Sequence, residues 1–200
     1  MNPNSDPASQ KKYKRTLITL AALFMLPIII AYVGWWQGWF NQLSKTNHGK
    51  LLNPVITFEQ AKFMDSKGLV PLKSFKNLWW IIYISADKDC QLSCQANAYL
   101  INQVRTAQAK ETDRVDRLMV HVGNGFSEAS KSYVREHFEV HFFTKLSQQS
   151  LLSKNKIYLM DPHGNIMLEY DAVKDEKEAV KKGGDLVKDL KKLLKISQIG

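Results

Sequence analysis

Cysteine is scarce in this chain: 200 residues contain two, Cys90 and Cys94. Any thiol chemistry therefore rests on that single pair. Charge is missing altogether from residues 16–36. No phosphate-cradling glycine loop, no Ser/His/Asp arrangement of a hydrolase and no glutamate-rich metal motif appears along the sequence. Internal repeats are absent as well. The formal net charge is +9, yet no basic patch with interleaved aromatics stands out, which makes nucleic acid a poor partner. The positive excess reads instead as solubility and attraction to an anionic membrane surface.

The uncharged run 16–36 is the first thing the sequence does contain. At about 1.5 Å per residue it crosses a hydrocarbon core of about 30 Å as a helix. Pro27 lies inside it, which membrane helices tolerate. Trp35, Trp36 and Trp39 stand at its far end like an interfacial aromatic belt. Lys11, Lys12, Lys14 and Arg15 precede it and place the N-terminus in the cytoplasm. A cleaved signal peptide is the rival reading. It wants a shorter apolar region and a small-x-small site, for which Ala31-Tyr32-Val33 is a weak candidate. The expected organisation is a cytoplasmic tail over 1–15, a transmembrane helix over 16–36, a linker over 37–50 and a folded domain over 51–200, outside the cytoplasm.

That domain is organised around residues 79–94. The apolar, aromatic and β-branched run 79–84 reads as a buried strand. A polar loop, 85–89, leads to Cys90 and Cys94 at the start of a helix expected over 95–110. Unpaired N–H groups and partial positive charge at a helix N-terminus favour thiolate. Asp87 and Asp89 beside Cys90 oppose that activation, and Lys88 partly offsets them. Three residues separate the cysteines. On a regular helix that spacing holds the Cβ atoms about 5–6 Å apart, wider than the roughly 3.5–4.5 Å of a disulfide. Two thiolates around one soft metal ion tolerate it better. A non-helical turn would restore the disulfide, so both readings stand, with two unrelated cysteines as the bland alternative. The pair is expected at the domain surface.

Around this stretch, residues 52–56 open the folded part, and 64–72 reads as a hairpin turning at 66–68. A turn is expected at 75–77. A second central strand is expected over 117–122, parallel to 79–84 because the connection between them is a helix. Ser127 is placed to cap a helix running to about Phe138. A short strand at 140–143 and helical potential at 146–152 follow. Residues 156–160 and 165–170 form a hairpin around Asp161-Pro162-His163-Gly164. Gly183-Gly184 is expected to separate a charged segment, 174–182, from a final amphipathic helix bearing Leu186, Val187, Leu190, Leu193 and Leu194. The alternation of elements is α/β: a thioredoxin-like domain preceded by one N-terminal transmembrane helix.

Three features then resemble the Sco/SenC family of cytochrome oxidase assembly proteins over residues 51–196. They are the strand before Cys90, the Cys-x-x-x-Cys spacing, and Ile157-Tyr158-Leu159-Met160-Asp161-Pro162-His163-Gly164, which looks like the family's Tyr-Leu-x-Asp-Pro-x-Gly hairpin. Asn47-His48-Gly49-Lys50-Leu51-Leu52-Asn53-Pro54 is similar to the opening of small single-pass proteins associated with bacterial oxidases. The resemblance implies a periplasmic domain on an inner-membrane anchor. It implies Cu(I) or thiol–disulfide exchange at Cys90 and Cys94, and cytochrome c oxidase subunits or other copper and thiol assembly factors as partners. Two departures matter. Gln91 and Gln95 follow the cysteines where the family usually has proline, and Ser153 stands where the family has a histidine ligand to copper, with no histidine in 144–156. His121, His141 and His163 are the substitutes to weigh for that third ligand. Against this each has a structural reading: a partly buried strand residue, a strand edge and a solvated turn. The cis-proline usual opposite a thioredoxin redox site also has no counterpart between Phe142 and Ile157. An interaction protein that keeps the fold without the chemistry, and a general periplasmic thiol–disulfide oxidoreductase, are the alternatives.

Overall fold

The run Trp79–Ile84 is an uninterrupted series of aromatic and β-branched side chains, and all seven residues of the strand Trp79–Ser85 are buried. A strand with period-two alternation and both faces apolar belongs at the centre of a sheet. It does so here, in a computed structural model that describes residues 7–39, 47–75 and 77–197. The chain divides into two units, residues 1–46 and 47–200.

In the first unit, helix α1 spans Pro7–Trp36. Its stretch Lys12–Trp36 has a mean hydropathy of 2.4 and is long and apolar enough to cross a membrane, alone among the described residues. Residues 1–6 of the expected tail and 40–46 of the expected linker lie outside the described residues, as does Lys76 of the turn at 75–77.

The second unit is built on an eight-stranded sheet: β1 (Lys50–Thr57), β2 (Phe63–Asp65), β3 (Gly68–Leu69), β4 (Trp79–Ser85), β5 (Val115–Val122), β6 (Phe142–Leu146), β7 (Lys156–Met160) and β8 (Asn165–Asp171). Their order across the sheet is β1-β8-β7-β4-β5-β6-β2-β3. β4 pairs with β5, and β5 with β6, in parallel; the remaining pairs are antiparallel. Helix α3 (Leu92–Thr106) connects β4 to β5, and α4 (Glu128–Phe138) connects β5 to β6. The parallel pairing and the helical crossover agree with the expectation for 79–84 and 117–122.

Alternation along β4 divides the core in two. Trp79, Ile81 and Tyr83 join residues of α3, α4 and α5 (Glu176–Ile196), together with both cysteines. Trp80, Ile82 and Ile84 point the other way. There Trp80 packs edge-on against Phe75 and Phe142, with ring centroids 4.9 and 5.0 Å apart. The short helix α2 (Phe58–Ala61) and the 3-10 turn Leu72–Phe75 cover this side.

Three local expectations are corrected. Gly183-Gly184 does not break a helix: α5 runs through both. Gly183 is buried where a Cβ would come within 2.9 Å of Leu100 on α3, so the glycine serves helix-to-helix approach. Residues 147–152 form turns rather than a helix, because Ser147 and Ser150 turn the chain with their own side chains, accepting from Gln149 N–H and Leu152 N–H. The helix expected over 95–110 starts at Leu92, ends at Thr106 and gives way to a 3-10 segment, Ala109–Arg114.

Candidate functional site

Cys90 and Cys94 form a disulfide with Cα atoms 4.8 Å apart. Regular helical spacing does not apply to this pair, because α3 begins only at Leu92 and Cys90 lies outside it in a left-handed conformation, φ 44°. The turn brings the two Cβ atoms together where a helix would not. Cys94 lies in the first turn of α3, whose leading residue Gln91 offers no side-chain cap. The N–H groups of that turn therefore remain available to negative charge at the sulfurs.

The cysteines are not at the surface, contrary to expectation: Cys90 is 1% and Cys94 0% exposed. The loop over 86–91 is fastened at several points. Asp87 accepts from Gln91 N–H at 2.9 Å, and its own N–H donates to Ser85 Oγ at 2.9 Å. Lys88 C=O accepts from Ser127 N–H and Ser130 Oγ–H, so the capped start of α4 holds the loop. Cys90 C=O accepts from Gln95 Nε2 at 2.9 Å. Two further polar groups lie on this side of the core. Burial raises the Tyr83 hydroxyl above its ordinary value, against hydrogen bonding from Ser85. Buried Asn97 ties α3 to the segment after β8 through both backbone groups of Val173.

The three candidate histidines separate along the sheet. His121 pairs in register with Ser85 at the cysteine end of β5. It is buried, stands edge-on to Phe126 at 5.2 Å, and its Nδ1 accepts from Gly125 N–H at 3.1 Å. Its Nε2 is buried without a hydrogen-bond partner among the described residues. Burial pushes its pKa below the usual histidine value, with the Ala86 backbone and Asp87 opposing. His141 precedes β6, whose first residue pairs with Leu118, midway along β5. His163 is exposed in the β7–β8 turn, and Met160 just before it pairs with Trp80. Both therefore lie toward the opposite end of the sheet, ~15 Å of strand from Ser85. Ser153, which stands where a histidine was expected, lies toward the cysteine end, since Asn155 N–H donates to Ile84 C=O. Among the described residues, no group of three His, Cys, Asp or Glu side chains is disposed to hold a metal ion.

One polar constellation was not anticipated from the sequence. Asp189 of α5 is 3% exposed and accepts from His48 N–H, Gly49 N–H and Tyr170 Oη–H at 2.8, 2.8 and 2.7 Å, with His48 Nδ1 at 3.1 Å. Burial pushes its carboxyl up, but these hydrogen bonds outweigh burial and hold it below the ordinary value. Tyr170 is raised, by burial first and then by Asp189. Residue 49 must be glycine because a Cβ there would meet the Tyr170 ring. The signal was present in the sequence: Asp189 interrupts the apolar positions 186, 190, 193 and 194 on one helix face. The cavity beside it, about 380 Å³, carries charges of both signs: Lys50, Lys156 and Lys182 with Glu169, Asp171 and Asp185.

The parallel core, the crossover helices and a cysteine pair between the central strand and its helix define a thioredoxin-like protein. Residues 79–197 match the model of the transmembrane-like, thioredoxin-like C-terminal domain, and the chain belongs to that family. Among solved structures, apo Sco1 from Thermus thermophilus superposes with a TM-score of 0.50 at 17% identity, covering 76% of this chain and 99% of that one. The copper-bound ScoI of Bradyrhizobium japonicum gives 0.40 at 19%, over 68% and 97%. A thiol:disulfide interchange protein from Bacteroides sp. gives 0.41 at 17%, over 74% and 90%. No curated protein matches the chain.

Proposed function

We propose that this protein is a membrane-anchored assembly factor for a respiratory cytochrome oxidase, working through reversible oxidation of Cys90 and Cys94. The observation that carries the reading is the pairing of these two cysteines between the central strand and the first turn of α3. A thiolate from a partner's dithiol attacks one sulfur and breaks the Cys90–Cys94 bond. The mixed disulfide is then resolved by the partner's second thiol. Two electrons and two protons pass to the pair, and the partner leaves as a disulfide. The reduced pair presents two soft sulfur ligands suited to Cu(I) as cargo. Of the three candidate histidines, His121 is the one at the cysteine end. Helix α1 anchors the protein in the inner membrane. The basic residues before it set the N-terminus in the cytoplasm and the domain, residues 51–200, in the periplasm.

A second reading, a non-catalytic interaction protein, is favoured by one observation: both sulfurs are buried. Replacing both cysteines by serine separates the two. Loss of assembled oxidase, with the variant protein present at normal level in the membrane, supports the thiol role. Unchanged assembly supports the interaction protein.

A further inference from the structure

A groove of about 510 Å³ lies between the 3-10 segment Ala109–Arg114 and the C-terminal end of α5. Ala109 and Leu194 give it apolar walls, and Lys110, Lys191 and Lys195 rim it. Glu111 beside the groove pairs with Arg114 at 2.7 Å and, more loosely, with Lys110 at 4.0 Å. Arg114 also donates to Leu194 C=O and Ser197 C=O, which closes the helix end, and Lys110, Lys191 and Lys195 are all exposed. Gln108 lines the same groove with its side chain buried. Its Nε2 donates to Val104 C=O, and its Oε1 has no donor among the described residues.

We propose that this lysine-rimmed groove docks the domain on an anionic phospholipid surface. Three ammonium groups suit headgroup phosphates, and the apolar walls suit the glyceride edge beneath them. The path of the chain supports that occupant. Residues 37–46 join the apolar helix α1 to Asn47 and span at most about 35 Å when extended. The chain then enters the folded unit at His48 and Gly49, which are bonded to Asp189 on α5 itself. From Asp189 to Lys195 is about 9 Å along the helix. The tether therefore fastens next to the basic end, and that end stays within reach of the bilayer that holds α1. The inference rests on the reading of α1 as a membrane anchor.

The test uses the full chain in nanodiscs, of phosphatidylcholine alone or with phosphatidylglycerol. Co-elution of protein with nanodisc scores the anchor separately. Amide hydrogen exchange is then followed over residues 107–114 and 188–197. The expected result is slower exchange of both segments on the anionic discs, lost on raising NaCl to high concentration. Each lysine is expected to shift the docking equilibrium constant about fivefold, from the ~1 kcal/mol that a basic residue gains near such a surface. K110Q, K191Q and K195Q together should abolish the protection while leaving exchange in β4 and β5 unchanged. Equal exchange on the two compositions overturns the proposal. So does protection that survives the triple substitution, or that soluble glycerol phosphate reproduces on neutral discs.

Discussion

Asn97 and Val173 grip each other from both sides: the Asn97 amide donates to Val173 C=O at 2.8 Å and accepts from Val173 N–H at 2.9 Å. Both residues are buried, in α3 and in the segment joining β8 to α5, and Val173 shares a core cluster with the two cysteines. Ser93 Oγ also donates to Val173 C=O. Replacing Asn97 by Leu leaves the Val173 N–H buried without an acceptor. It should cost about 2–3 kcal/mol in denaturant unfolding. A loss well under 1 kcal/mol would show that water or a rearranged backbone takes over.

Asp189 makes stability depend on pH in a defined direction. Its carboxyl is held below the ordinary value in the folded protein, so the unfolded chain binds the proton more tightly. The stabilisation is fully present above about pH 4 and is lost as pH falls through the lower folded value. Asp189→Asn should lower stability at neutral pH and flatten the decline below pH 4. Unfolding curves of both proteins between pH 2 and 7 check this, and parallel pH profiles would contradict it.

The adjacent glycines of α5 should respond oppositely to alanine. Nothing lies within 4 Å of a Cβ at Gly184, so Gly184→Ala should raise stability by about 0.5–1 kcal/mol through helix propensity. At Gly183 the new methyl meets Leu100 within the packed α3–α5 contact, which opposes that gain. Thermal unfolding should show a higher midpoint for Gly184→Ala than for Gly183→Ala.

That glycine pair shows where sequence reading stops. Locally, two glycines read as a break; the helix continues because α3 approaches so closely that a side chain at 183 would obstruct it. Strands β4 and β5 and the β7–β8 hairpin were legible because their periodicity and turn residues are local signals. The burial of Cys90 and Cys94 was not legible, since it depends on α4 capping residues that reach back across the fold to Lys88. The same distance hid the bond between His48 and Asp189, although an aspartate on an apolar helix face marked one half of it.

If His121 completes a copper site with the reduced cysteines, His121→Ala should weaken Cu(I) binding by at least tenfold. His141→Ala and His163→Ala, toward the other end of the sheet, should leave it unchanged. Competition titration of the reduced, full-length protein in detergent reads this out. Equal, negligible effects at all three positions would leave a two-cysteine site.

The most direct test of the thiol account is the redox equilibrium of Cys90 and Cys94 in the folded, full-length protein. The chain is equilibrated in dithiol–disulfide buffers spanning the reducing and oxidising range, quenched with an alkylating reagent and weighed by mass spectrometry. The account predicts a two-electron transition under native conditions, with both thiols becoming reactive together and the disulfide returning on reoxidation. A pair that stays oxidised across the whole range until the protein is unfolded would be a structural staple, and would contradict it.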